Sequence, residues 1–165
     1  MRKYWHRAAV AAVLLLTAAG AGAASGKVIK VLPHYLDARG RHALSPSLYD
    51  RDAYQEQLRK NPALRAGLRF DIQWQAYGAA DLKVRIELRG MKSGQPQSRT
   101  LELAPRTKPA LTAWSKLTLD GEDYRQFGEL SAWRATLWEG GQLLAEQQSF
   151  LWSSDPQVGF KPAAK

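Results

Sequence analysis

The chain has 165 residues, 24 Lys and Arg against 15 Asp and Glu, a formal charge of +9 and no cysteine. The missing cysteine excludes disulfides, thiol nucleophiles, cysteine-based zinc sites and an acylated lipoprotein anchor. The length suits one domain, because two halves without such staples would each be too small to be stable.

Residues 1–23 read as a signal peptide: Arg2, Lys3 and Arg7 precede an apolar run over 8–18, and Ala21-Gly22-Ala23 offers a small-residue cleavage site. That run is far shorter than the roughly 20 residues of a spanning helix. A membrane anchor is therefore the weaker reading, and no transmembrane segment is expected after cleavage. The protein is expected to be exported, to the periplasm or outside the cell. Cleavage removes three cations and no acid, so the remaining domain is still basic. Outside the cytoplasm the anionic partners are lipid head groups, cell-wall polymers and acidic proteins. No aromatic nucleic-acid signature occurs, and nucleic acid is not expected as a partner.

"KVIKVLPHYL" reads as a first strand that ends at Pro33. A polar loop follows, then a short helix over about 50–61. Asp50 or Asp52 is placed to cap it, Tyr54 and Leu58 share a face, and Asn61-Pro62 stops it. In "LRFDIQWQAY", Leu68, Phe70, Ile72, Trp74 and Ala76 alternate with polar residues, and in "DLKVRIELRG" Leu82, Val84, Ile86 and Leu88 do the same. Both are half-buried antiparallel strands, and the Gly78-containing linker between them suits a hairpin loop.

A turn-rich stretch leads into a strand at "RTLELA", and "PRTKPAL" then crosses over, its prolines being unsuited to a central strand. "WSKLTL" is a further strand, with Trp114 out of phase with Leu117 and Leu119. "SAWRATLW" and "QLLAEQQSFLW" flank Glu139-Gly140-Gly141-Gln142, and the two glycines suit a type I′ hairpin turn. Residues 153–165 read as a loose tail. The whole is all-β: an immunoglobulin-like antiparallel two-sheet β-sandwich over 24–152 with one short helical insertion, a small β-barrel being the alternative.

With no disulfides, Trp74, Trp133 and Trp152 are expected to fill the core. Trp138, five residues after Trp133, falls on the opposite face beside Arg134 and Thr136, where it is a candidate contact platform with Tyr77 or Arg134. Around "LDGEDY", Asp120, Asp123 and Tyr124 resemble the tyrosine corner of immunoglobulin-type sandwiches, in which a Tyr hydroxyl ties back to the backbone. The resemblance covers a few residues, and "RQFGELSA" separates Tyr124 from the next strand. It implies the sandwich and carries no function.

Two enzyme-like clusters stand out. His34, Asp37, His42, Ser45 and Ser47 fall in one loop region and could in principle hold a metal or activate a serine, but their spacing matches no established motif. Asp120, Glu122 and Asp123 sit in one turn, without the second carboxylate across a cleft that glycoside hydrolysis needs. No phosphate loop or dinucleotide fingerprint occurs, so no cofactor is expected. The candidate contact surface is instead Arg69, Lys83, Arg85 and Arg89, a basic stripe if their strands pair, together with Trp138 and the helix around Tyr54. The reading is thus an exported, non-catalytic binding or structural domain for an anionic envelope component or another envelope protein. A secreted hydrolase or metal enzyme using the 34–47 loop is the alternative.

Overall fold

The computed structural model describes residues 24–105 and 112–152. The expected signal sequence, most of the "PRTKPAL" segment and the expected tail lie outside those residues. Among the described residues, seven strands form two antiparallel sheets. β1 (Ser25–Leu36), β2 (Gly67–Tyr77) and β5 (Ala113–Asp120) order as β1-β2-β5. β3 (Leu82–Lys92), β4 (Gln95–Leu103), β6 (Glu129–Glu139) and β7 (Gln142–Gln148) order as β4-β3-β6-β7. No ladder joins the sheets among the described residues, so the molecule is a sandwich and not a barrel. Its strand order is immunoglobulin-like, with the fourth strand on β3 and not beside β5 as in the constant-type arrangement.

The period-two patterns land as read. Leu68, Phe70, Ile72 and Trp74 from β2 meet Leu82, Val84, Ile86 and Leu88 from β3 across the core. The linker between them, however, is not a hairpin. β2 and β3 belong to different sheets, and residues 78–81 carry the chain from one layer to the other, with Gly78 at φ 68°. Alternation fixes which residues face inward, but it is silent about which strand each one pairs with.

β1 runs on through Pro33 to Leu36 instead of stopping at the proline. It is an edge strand of its sheet, where proline is tolerated because no second neighbour needs its missing N–H. The type I′ geometry sits at Ser93-Gly94, where both residues have positive φ (49° and 79°) and β3 turns directly into β4. In the Gly140-Gly141 turn only Gly140 takes a positive φ. Trp114 points out of the sandwich, because Ser115, Leu117 and Leu119 take the inward phase. Ser115 is there to accept a 2.9 Å hydrogen bond from the buried Trp74 indole.

Two α-helices are present among the described residues, one more than expected. α1 (Leu48–Lys60) is capped by Ser47, whose hydroxyl accepts from the Asp50 N–H, so the cap is neither Asp50 nor Asp52. Tyr54 and Leu58 are buried as the i, i+4 pattern requires. α2 (Gly121–Phe127) occupies the corner that resembles a tyrosine corner. Phe127 is fully buried there, and Tyr124 is half-buried with its hydroxyl beside Arg65, so a helix and an arginine fill the role expected of a backbone tie.

Trp152 is the clearest departure. It is 7% exposed yet lies outside the core cluster. After β7 the chain turns, with the Trp152 N–H donating to the Ser149 carbonyl at 3.0 Å. The indole then packs on the outer face of the four-stranded sheet, 3.8 Å from the Arg89 guanidinium and 5.2 Å from that of Arg134. Trp133, by contrast, does pack against the core.

Gly90 faces the Phe127 ring, and a Cβ there would sit 2.6 Å from the nearest ring carbon. Gly90→Ala is expected to destabilise the fold by about 1–3 kcal/mol through overpacking, read from urea denaturation midpoints.

Candidate functional site

The loop and helix inserted between β1 and β2 are held by three polar side chains. Gln55, buried, lies against the free edge of β1 and reproduces a strand partner there. Its Oε1 accepts from the Tyr35 N–H at 2.8 Å, and its amide nitrogen donates to the carbonyls of Tyr35 (2.9 Å) and His42 (2.8 Å). Asp37 closes the loop by accepting from the backbone N–H groups of Arg39 and Arg41, the Arg41 guanidinium and the Tyr54 hydroxyl at 2.7 Å. Burial alone would raise its pKa, but these hydrogen bonds outweigh that and hold it well below the usual carboxylate range. Arg65 finishes the insertion: it donates to the last carbonyls of α1, Leu58 (2.6 Å) and Arg59, ion-pairs with Glu129 at 2.6 Å, and covers the Tyr35 ring at 4.1 Å.

These ties place the insertion beside the outer face of the three-stranded sheet, and a cleft of about 340 Å³ opens between them. Its lining includes His34, His42, Arg51, Arg69, Asp71, Trp114 and Lys116. Two of the expected enzyme-like residues, His34 and His42, therefore do come together, with ring centroids 5.1 Å apart. Arg69 grips Asp71 through two bonds of 2.9 and 2.7 Å and also lies 3.2 Å from His42 Nδ1. A guanidinium only donates, so Nδ1 is the acceptor and the His42 proton sits on Nε2.

Both histidines are held below the ordinary histidine pKa. Burial lowers the His34 pKa to about 4, and His42, Arg51 and Arg69 add to it, while Asp71, at 3.6 Å from Nε2, opposes it. His42 is lowered in the same direction, by burial and then by Arg69. The remaining members of the predicted cluster are committed elsewhere: Asp37 to its loop, the Ser45 hydroxyl to Asp50 at 2.5 Å, and Ser47 to the α1 cap. No group of three or more His, Asp or Glu that could hold a metal ion occurs among the described residues.

The predicted contact residues are divided between the two faces. Arg69 is in the cleft, whereas Lys83, Arg85 and Arg89 lie on β3 in the other sheet, so no single stripe forms. Glu102 takes both Lys83 (3.4 Å) and Arg85 (2.5 Å), and Arg85 also stacks on Trp138 at 5.1 Å. Trp138 does lie on the outer face, half-buried, with its indole donating to Thr136 at 2.9 Å. Arg89 stacks on Trp152, and Glu87 pairs with Arg134 at 2.7 Å. Tyr54 is interior and serves Asp37, so it offers no surface. Trp114, Lys116 and Arg51 complete the cleft without belonging to any motif in the sequence. Trp114's mismatch of phase with Leu117 and Leu119 was the available signal, and Arg51 enters the cleft only through the path of the loop.

Comparison with protein-family models and with curated proteins gives no match in either case. No helix among the described residues is long and apolar enough to cross a membrane.

Replacing Gln55 by Leu leaves the Tyr35 N–H and two carbonyls without partners and is expected to cost about 2–3 kcal/mol, with faster amide exchange at Tyr35. Stability should also fall on acidification. His34 has a lower pKa folded than unfolded, so the unfolded chain binds more protons between about 6.5 and about 4. The stabilisation is present above that window and lost as pH drops through it. His34→Gln is expected to flatten the slope in urea titrations between pH 7 and 5, leaving the smaller contribution of His42.

Proposed function

We propose that the protein is an exported, non-catalytic binding domain of the cell envelope, and that the cleft beside the insertion is its contact site. The observation that carries this reading is Trp114, 52% exposed at the wall of a concave site and flanked by Lys116. A half-exposed indole in a concavity is the kind of group that contributes most to recognition. The absence of a catalytic role is supported by how the polar groups are used. The cleft's carboxylate is gripped by Arg69, and the serines of the loop are engaged by the helix. A general base is most effective with a pKa near the working pH, and a His34 at about 4 is displaced from it. Export is supported by the basic, apolar and small-residue sequence of residues 1–23.

The test is expression of the full chain followed by fractionation. Processed protein beginning near Ala24 is expected in the exported fraction and should pellet with isolated envelope material, less so when Trp114 is replaced by Ala. Full-length protein confined to the cytoplasm would overturn export. Pelleting indifferent to Trp114→Ala would move the contact away from the cleft.

A further inference from the structure

Which ligand the cleft takes follows from how its charges are distributed. Asp71 is its only acidic lining residue among the described residues, and both carboxylate oxygens are occupied by Arg69. Three cations, Arg51, Arg69 and Lys116, share the same space. Arg69 is neutralised by Asp71, and Arg51 reaches the neighbouring Asp52 at 2.8 Å, a pair whose carboxylate is itself well exposed. Lys116 pairs across the β2–β5 ladder with Asp71, yet Asp71 faces Arg69, so the ammonium is left to the open cleft.

The described lining of the cleft therefore carries net positive charge, and a concave site focuses that potential. Beside the cations stands an apolar plate. Trp114 and Lys116 are two residues apart on β5 and so project from the same side of the sheet. His42, in the same lining, adds a neutral imidazole whose Nε2–H is a donor. A site with a flat aromatic wall and a cation one strand-repeat away has two requirements: a ring to lie against the indole and an anionic group to reach the ammonium. Its volume is in the range of small-molecule sites.

Resting on the binding reading above, we infer that the cleft binds a small ring-bearing carboxylate, with its ring against Trp114 and its acid at Lys116 and Arg51. Sugar acids and aryl carboxylates share this chemistry, the first presenting a face of C–H bonds to the indole and the second a π-face.

The experiment is an amide and indole NMR titration of the processed protein with four probes: glucuronate, benzoate, glucose and inorganic phosphate. Expected are saturable shifts of the Trp114 indole N–H and the Lys116 amide with glucuronate or benzoate, at a Kd of about 1 mM, ordinary for ligands of this size. Whichever probe gives the larger effect identifies the source of the ring. Trp114→Ala and Lys116→Gln, both at exposed positions, should each weaken binding about tenfold or more, whereas Lys83→Gln, on the opposite sheet, should leave it unchanged. Equal response to glucose would remove the role of charge, and equal response to phosphate the role of the ring; either overturns the inference. Absence of shifts with both carboxylates also overturns it. Envelope pelleting that still depends on Trp114 would then show that the cleft binds something else, so the two failures are separable.

Discussion

The structure turns on an edge that has to be covered. β1 is the outer strand of a three-stranded sheet, and its unpaired N–H and C=O groups would otherwise invite pairing with another chain. Gln55 answers at Tyr35 with one donor and one acceptor in the geometry of a strand partner. A side-chain amide carries its donor and its acceptor on neighbouring atoms, spaced as in a backbone peptide group. Burying it obliges α1 to lie along the edge, which in turn fixes where the loop from Asp37 to Ser47 passes. The same amide then reaches the His42 carbonyl, so edge protection and the placing of an imidazole in the cleft are one event.

Arg65 extends this economy to the other end of the helix. The last carbonyls of α1 have no intrahelical partners, and a guanidinium satisfies two of them while its planar face covers Tyr35. Its third engagement, with Glu129 on β6, links the insertion to the opposite sheet, and the Tyr35 hydroxyl donates to the same carboxylate at 2.8 Å. The pairing is sheltered on the arginine side, whose side chain is only 5% exposed, so losing Glu129 would leave a largely buried charge. An insertion that looks peripheral in the chain order is thereby fastened to both layers of the sandwich.

How much of this could be read from the residues depends on the range of the interaction responsible. Alternation at Leu68–Trp74 and Leu82–Leu88 is a local signal with a local cause, and it gave the inward faces correctly. The Tyr54/Leu58 spacing likewise predicted the buried side of α1. Pairing is not local. Nothing between Tyr77 and Leu82 distinguishes a hairpin from a crossing between layers, and the expected stripe of Arg69 with Lys83, Arg85 and Arg89 depended on that choice. Trp152 failed for a related reason: period two was extended past Gln148, where the strand ends and the chain turns back. Within the site, His34 and His42 were legible as residues of interest, but their neighbours came from β2, β5 and α1. Only the fold brings Trp114, Lys116 and Arg51 to them.

The two outer faces show why net charge alone says little about where such a protein binds. On the four-stranded sheet the cations are absorbed: Glu102 holds Lys83 and Arg85, Glu87 holds Arg134, and Trp138 and Trp152 carry the guanidinium planes of Arg85, Arg89 and Arg134. Those stacks bury apolar ring area that a cysteine-free sandwich has to cover by other means, and they use positive charge to do it. On the three-stranded sheet the pattern reverses, because Arg69 is consumed by Asp71 while Trp114 keeps half its surface and Lys116 faces the opening. Among the described residues, an aromatic ring with no cation stacked on it and an ammonium not held by a carboxylate are what distinguish this surface from one already satisfied by its own side chains. By that physical criterion the cleft, and not the more arginine-rich face, is the contact site proposed for this domain.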